Sequence, residues 1–346
     1  MKGAVFLGDR KVELREFADP EPDRGEVLVA IRASGMCGSD LHYYRDAPGR
    51  LNTSGRFIGG HEPCGVVHSV GPGVSEDVAS PGDRVMVHHY AGCTHCISCR
   101  SGWPQMCTTA PASVFGTHAH GAHSTLMLVP AVTLVPLDPV LSFAAGAAIG
   151  CGTGTAWGAL ERLGDVGGAT IAVFGQGPVG LSATLLATAR GARVIAVDPE
   201  ATRREQALRF GAVAAIDPTT TPASRTIREL TGGAGVSSAV ESSGATAAAV
   251  DTLACLAPWG KACYVGLGGE VRFDVLDYHR RQMTLLTSWS MSIVQQRQCA
   301  DFVARNSLPV DELFSHRWRL DQVAEAYEEF DLQRAGKGVV VFGSES

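Results

Sequence analysis

Cys93, Cys96, Cys99 and Cys107 follow one another as C-x2-C-x2-C-x7-C in a loop punctuated by glycine. Four thiolates so spaced can wrap one tetrahedral Zn²⁺, which takes sulfur ligands at about 2.3 Å. Disulfides are the rival reading. Cysteines this close are better placed to chelate, and Met1 leads into Val5 and Phe6 with no basic segment, apolar stretch and cleavage site that would send the chain to an oxidising compartment. Ten cysteines without such a signal point to a reducing, cytoplasmic location, and Cys64, Cys255, Cys263 and Cys299 read as buried free thiols. A closed shell of four thiolates leaves no open position, so this loop is structural and the chemistry must lie elsewhere.

A chain of 346 residues suggests two domains, and 45% hydrophobic with 18% charged residues fits ordinary globular cores. The net charge of −6, with no long Lys/Arg run, argues against nucleic acid or an anionic membrane as the main partner. The apolar runs are broken well before the roughly 18 residues that a membrane span needs. Up to about residue 140 the chain reads as short β-like runs between turns, such as Val27–Ile31, Gly65–Val67 and Arg84–Val87. That texture fits a partly open barrel. From Leu141 strand-like and helix-like stretches alternate. Ile171–Phe174, Val194–Val197, Ala239–Val240 and Ala262–Val265 read as strands. Val179–Arg190, Ala201–Phe210 and Thr246–Leu256 read as helices, with Gly191 and Gly211 closing the first two. This alternation predicts a parallel sheet with helices on both faces. Asp321–Phe330 reads as a late amphipathic helix and Val339–Phe342 as a closing strand.

Gly175-Gln176-Gly177-Pro178-Val179-Gly180 is a G-x-G-x-x-G that follows a strand and opens a helix. Gly175 suits the tight turn, Gly177 a close backbone approach to a pyrophosphate, and Gly180 the packing of helix on sheet. The helix N-terminus offers free N–H groups to phosphates. Asp198 ends the next strand, where a carboxylate accepts hydrogen bonds from ribose hydroxyls and repels a 2′-phosphate. That favours NAD over NADP, although Arg203 could pair with a phosphate.

A second, incomplete ligand set is spread along the chain. Cys37 lies in Gly35-Met36-Cys37-Gly38-Ser39-Asp40-Leu41-His42, His61 in Gly60-His61-Glu62-Pro63-Cys64-Gly65, and Cys151 in Gly150-Cys151-Gly152-Thr153-Gly154-Thr155. Two thiolates and one imidazole with a fourth position open make the pattern of catalytic zinc. With Gly60, His61, Glu62, Gly65, Gly71 and Val74 in place, the four-cysteine loop, and the glycine loop downstream, the chain resembles the zinc-dependent medium-chain alcohol dehydrogenases over its full length.

That resemblance implies an α/β protein: a GroES-like, partly open β-barrel catalytic domain (1–149, zinc lobe about 92–108), a doubly wound Rossmann NAD-binding domain (150–286), and a return to the catalytic domain (287–346). The active site is expected in the cleft. The resemblance makes Cys37, His61 and Cys151 ligands of a catalytic zinc and Cys93, Cys96, Cys99 and Cys107 ligands of a structural one, two ions per chain. Glu62 matches an acid that is a ligand in some branches and stands behind the ligands in others; the latter is expected here. Ser39 and His42 match a proton relay that runs through the nicotinamide ribose. Thr155 and Val179 match positions that hold the nicotinamide ring, and Lys337 one where some relatives place an Arg on the pyrophosphate. The implied reaction is hydride transfer between a secondary alcohol or polyol and NAD, giving a ketone or aldehyde. Carbonyl or aldehyde reduction and threonine dehydrogenase-like oxidation are the alternatives, and a non-catalytic zinc protein is the more distant one.

The substrate is less specified. His89, and with less support His123, fall where relatives place aromatic pocket residues, which would favour a hydroxylated substrate. The bland alternative leaves His88, His89, His118, His120 and His123 as solvent-facing loop residues. Trp289 and Met291 are candidate pocket walls or core. The short stretch from Cys107 to Phe115 resembles bacterial tetramers more than dimers, so a homo-oligomer is expected.

Overall fold

A computed structural model describes residues 1–50, 53–332 and 336–343. In chain order its strands are β1 (Lys2–Gly8), β2 (Lys11–Glu16), β3 (Glu26–Gly35), β4 (Glu62–Val70), β5 (Arg84–Val87), β6 (Tyr90–Ala91), β7 (Ser113–Val114), β8 (Leu126–Pro130) and β9 (Leu134–Pro136). Then follow β10 (Thr170–Phe174), β11 (Arg193–Val197), β12 (Ala214–Ile216), β13 (Val236–Glu241), β14 (Leu256–Tyr264) and β15 (Thr284–Thr287), and finally β16 (Phe314–Arg319) and β17 (Lys337–Val341). The chain divides into two compact units, Met1–Cys151 with Ser292–Ser346, and Gly152–Met291.

The first unit is built on a sheet of order β16-β17-β3-β4-β5-β9, with β8 also paired to β3. β3 alternates, and Val27, Val29 and Ile31 point into a core shared with Val67, Val85, Val87, Met127 and Val129. The register slips by one residue at Arg32, between the pairs Ile31↔Gly65 and Ala33↔Cys64. Such a bulge re-aims the strand end. Here the re-aimed end, Gly35 opposite Glu62 at the start of β4, leads on to Met36 and Cys37. A second core, of Phe6, Met36, Leu41, Tyr44, Tyr327 and Phe330, joins the helix Asp40–Arg45 to the late helix Val323–Asp331. The C-terminal strand β17 closes on β3, with Val339 opposite Gly35.

The second unit is a six-stranded parallel sheet, order β12-β11-β10-β13-β14-β15. β10 and β11 are apolar and almost wholly buried, as a strand covered on both faces must be. The strand order reverses between β10 and β13, and the glycine loop sits at the carboxyl end of β10, where open α/β sheets bind ligands. The helix Pro178–Ala189 is buried from Gly180 to Ala187. The architecture is therefore α/β, a Rossmann sheet with a GroES-like barrel.

Two local readings shift, and one element goes unread. The hairpin β1–β2 was not legible as such. β14 begins at Leu256 and runs through Trp259 at φ 64°, so the helix stops at Ala254, two residues short of the expected end, and Leu256 is already strand. The late helix starts with a 3-10 turn, Leu320–Gln322, and becomes α-helical at Val323.

A Cβ at Gly180 would fall 1.7 Å from the Gly175 carbonyl oxygen, whereas one at Gly177 would meet no atom within 4 Å. Gly180→Ala is therefore expected to lower the apparent melting midpoint by roughly 5–10 °C. Gly177→Ala should leave it within about 2 °C, because its φ of −71° suits any residue. Thermal denaturation of the two variants checks both.

Candidate metal centres and nucleotide site

The three separated ligands of the first unit converge. Cys37 follows the bulged end of β3, His61 precedes β4, and Cys151 follows the helix Phe143–Ile149. Cys37 Sγ and Cys151 Sγ are 3.8 Å apart, and Cys151 Sγ is 3.6 Å from His61 Nε2. Two sulfurs on a tetrahedral zinc stand about 3.8 Å apart, and a sulfur and an imidazole nitrogen about 3.6 Å. The donor set and its spacing therefore fit the ion. The hydrogen bond shared by the two sulfurs holds Cys37 well below the usual thiol range against the effect of its burial.

Behind His61 stands Asp40, which sequence reasoning left unassigned. His61 Nδ1 is 2.9 Å from Asp40 Oδ1, and Oδ2 accepts hydrogen bonds from the Cys37 backbone N–H at 2.9 Å and the Tyr327 hydroxyl at 3.0 Å. Burial would raise this carboxyl, but the imidazole and its other partners bring it down to about 2. A carboxylate on the far nitrogen fixes a ligating histidine's tautomer and ring plane. The signal was present, since Asp40 opens a helix three residues after Cys37, where its side chain can turn back to that N–H.

Glu62 is fully buried, and one of its carboxylate oxygens lies within 4.8 Å of the other three candidate ligand atoms. Lys337 Nζ donates to Glu62 Oε1 at 2.7 Å, lies 2.6 Å from Oε2, and donates to the Met36 carbonyl at 3.1 Å. Burial pushes Glu62 up to about 7 against the pull of this ammonium. Burial also works against the charge on Lys337, but Glu62 and the two nearby sulfurs more than offset it and keep the ammonium charged. Lys337 is thus placed as the counter-ion of Glu62, in the first unit.

Ser39 Oγ donates to Cys37 Sγ at 3.3 Å and lies 3.4 Å from His61 Nε2, so its hydroxyl sits beside the ligand atoms. His42, one turn further along, is exposed. His88, His89 and His123 are buried, whereas His118 is exposed and His120 half-buried. His89 Nδ1–H donates to the Gly150 carbonyl at 3.0 Å, and its ring lies 5.3 Å from that of His61. Burial, then the neighbouring imidazoles, holds His89 well below the usual range and so neutral. His123 has both nitrogens engaged, at 2.8 Å from Ser34 Oγ and 2.7 Å from Tyr327 Oη. It offers no free polar atom to a substrate, so of the two imidazoles only His89 remains a candidate pocket residue. Met291 is buried and Trp289 is half exposed, both in the second unit.

The four-cysteine loop also gathers. Cys93 Sγ and Cys99 Sγ are 3.9 Å apart, as are Cys96 Sγ and Cys107 Sγ, and all four sulfurs lie within 4.8 Å of one another. Backbone N–H groups already point at the sulfurs, Cys96 N at Cys93 Sγ (3.3 Å) and Cys99 N at Cys96 Sγ (3.5 Å). The Cys99 and Thr108 N–H groups hold the Cys96 thiol down to about 5. Such donors favour thiolate, the form a metal takes.

In the second unit, Asp198 is buried at the end of β11, where Oδ2 accepts from the Gln176 N–H at 2.6 Å and Oδ1 from the Glu200 N–H at 2.8 Å. Arg203 Nη1 lies 3.9 Å from Asp198 Oδ2. The Gln176 side chain is buried beneath the loop, donating to the Val173 carbonyl and accepting from the Thr184 hydroxyl. Thr155 lies in the helix Gly152–Leu163, whose start packs on Pro178 and Val179.

Comparison with known proteins agrees with this geometry. Residues 23–139 match the alcohol dehydrogenase GroES-like domain, and residues 178–305 the zinc-binding dehydrogenase domain. The zinc-type alcohol dehydrogenase-like protein YphC of Escherichia coli K12 is 36% identical, over 99% of each chain. L-galactonate-5-dehydrogenase of the same organism is 27% identical over 93% of this chain and 94% of its own. Among solved structures, alcohol dehydrogenase TADH from Thermus sp. ATN1 superimposes with a TM-score of 0.90 at 28% identity, covering 99% of both chains. The chain is a member of the zinc-type alcohol dehydrogenase family, and its class is that of the oxidoreductases.

Cys96→Ala is expected to release one metal ion per chain and lower the melting midpoint, because the loop then lacks its closure. Cys37→Ala is expected to release one ion, leave the midpoint within a few degrees, and cut turnover more than about 100-fold. Metal analysis of the purified variants beside the wild type checks both.

Proposed function

We propose that this protein is an NAD-dependent zinc dehydrogenase that oxidises a secondary alcohol or polyol to the ketone or aldehyde. The observation that carries the proposal is the spacing of Cys37 Sγ, His61 Nε2 and Cys151 Sγ, with the Ser39 hydroxyl beside them. Those three residues would hold a catalytic zinc with one position open, and Cys93, Cys96, Cys99 and Cys107 a structural zinc. When bound, zinc supplies a Lewis acid that lowers the pKa of an oxygen ligand toward neutrality, and NAD supplies the hydride acceptor. Ser39 Oγ would take the substrate's proton while releasing its own, and His42, exposed one turn away, would be the last residue of that relay before solvent. Glu62, neutralised by Lys337, stands behind the ligands. Asp40 holds His61 in the tautomer whose Nε2 is free to bind.

The nucleotide is assigned to Gly175, Gly177 and Gly180, with the open space over Gly177 receiving the pyrophosphate. Asp198 accepts from the ribose hydroxyls. Arg203 lies toward that carboxylate, a placement that supports NAD over NADP. Thr155 and Val179 would border the nicotinamide ring. The pyrophosphate role considered for Lys337 has less support, because two of its three protons go to Glu62 and Met36. Hydride transfer needs the reacting carbons within about 3.5 Å.

For the substrate, His89 carries the argument. With its proton on Nδ1, it keeps the Nε2 lone pair, and among the described residues nothing donates to it. A neutral acceptor near His61 favours a second hydroxyl on the substrate over a plain alkyl chain, and the relative named for L-galactonate supports a polyhydroxylated class. A panel of polyols, vicinal diols and simple alcohols, assayed by NADH absorbance with NAD and NADP in parallel, tests this. Diols should lead. His89→Phe should shift the ratio of kcat/KM toward simple alcohols by about 10-fold or more. A wild type that oxidises a simple aliphatic alcohol far faster than any diol overturns the polar-pocket reading.

Self-association is also proposed. Among the described residues β15 is the edge of its sheet, with one side unpaired and Leu285 exposed, and Leu267, Val275 and Leu276 of the same unit are about 70% exposed or more. Unpaired edges and large exposed apolar side chains are features that interfaces cover. Light scattering should give a homo-oligomer, with a tetramer favoured, and Leu285→Lys should lower its mass. Ten cysteines with no disulfide among them fit a reducing, cytoplasmic setting, and among the described residues no helix is long and apolar enough to cross a membrane.

A further inference from the structure

Two buried side chains that touch no metal ligand are tied to the metal set by hydrogen bonds. Tyr327 Oη donates to Asp40 Oδ2 at 3.0 Å, His123 Nε2 lies 2.7 Å from Tyr327 Oη, and Ser34 Oγ lies 2.8 Å from His123 Nδ1. Ser34, His123 and Tyr327 are each fully buried, and Asp40 is 1% exposed. Tyr327 belongs to the helix Val323–Asp331, close to 290 residues from Asp40, and His123 to the loop before β8.

The proton order in this chain has one solution. A metal-binding Nε2 carries no proton, so His61 Nδ1–H donates to Asp40. The carboxylate can only accept, so Tyr327 spends its one proton on Asp40. Tyr327 must then accept from His123, which places the His123 proton on Nε2. Nδ1 is left as an acceptor, and Ser34 donates to it. Burial keeps His123 neutral, down to about 4, so a single proton is available to it. Every donor in the row points toward the carboxylate, and dipoles so aligned strengthen one another in a low-dielectric interior.

We propose that Tyr327 and His123 are positioning residues for the metal set, holding the Asp40 carboxylate in the plane that orients His61. A second contact leads the same way. A Cβ at Gly60, the residue before His61, would lie 2.6 Å from His123 Nδ1, so the imidazole packs directly on the backbone that carries the ligand. Gly60 also has φ 82°, a value only glycine adopts without strain. His123 therefore sets His61 both through its backbone and through Asp40. The inference rests on the zinc reading of Cys37, His61 and Cys151.

The test is zinc release to a colorimetric chelator, followed in the folded protein, with the four-cysteine site as internal reference. Tyr327→Phe removes only a hydroxyl and keeps the ring against Phe6 and Tyr44. It should speed release of one of the two ions about 5- to 10-fold and leave the other unchanged. His123→Leu should do the same, and the double variant should add little, because both cut one chain. His123→Gln keeps an N–H donor near the Nε2 position and should restore slow release. The d–d spectrum of the cobalt-substituted protein should change in the Phe and Leu variants and recover in the Gln variant. Wild-type release and an unchanged spectrum in Tyr327→Phe and His123→Leu overturn the proposal. So does equal acceleration at both sites, or a Gln variant as fast as Leu. Should Tyr327→Phe fail to fold, the Leu and Gln pair at position 123 decides. A wild type that binds metal only at the four cysteines overturns the zinc reading itself, and this inference with it.

Discussion

Three ligand atoms from distant parts of the chain meet within about one tetrahedron edge, and the hydrogen bond from His61 to Asp40 makes that meeting specific. An imidazole free to rotate or to carry its proton on Nε2 would not present a lone pair to an ion. The buried carboxylate removes both freedoms. Asp40 is itself held by a backbone N–H from Cys37, so the same three-residue turn fixes one ligand and the partner of another. The bulge at Arg32 is upstream of this, because it decides where β3 ends and Cys37 begins.

The Glu62–Lys337 pair shows a different kind of dependence. Both groups are buried, and an isolated charge there would cost several kcal/mol. Each is tolerated because the other is present, and Lys337 also satisfies the Met36 carbonyl next to Cys37. Because Lys337 lies on β17, the C-terminal strand supplies the counter-charge to a cluster whose candidate ligands, among the described residues, all precede residue 152. Tyr327 makes the same point for the late helix. β17 and the late helix are thus tied to the candidate metal site by electrostatics and hydrogen bonding, although among the described residues they contribute none of its candidate ligands.

How much of this could be read beforehand followed the range of the interactions. The glycine loop, the four-cysteine loop and the strands of the parallel sheet are local patterns: spacing, turn chemistry and apolar runs fix them within about ten residues. The scattered ligand set was legible because soft and borderline ligand types in a reactive pattern are informative in themselves. Asp40 was legible in principle, three residues from Cys37. Tyr327 was not, since an aromatic on a late amphipathic helix reads as core, and it is core on every side except its hydroxyl. The β1–β2 hairpin was missed for another reason. β2 is polar and mostly exposed, so its alternation is weak, and its register comes from the partner strand.

His89 and His123 show where spacing stops carrying information. Both are buried imidazoles, both lie near the same metal set, and both were assigned by position to one pocket. What separates them is saturation. His123 has an acceptor and a donor neighbour that use both nitrogens, so any substrate would have to break a bond to reach it. His89 gives its one proton to a carbonyl beside Cys151 and retains a lone pair. Identical residue types thus divide, by hydrogen-bond count alone, into one imidazole that is saturated and one that keeps a free acceptor. That count depends on Ser34 and Tyr327, residues nearly 300 positions apart.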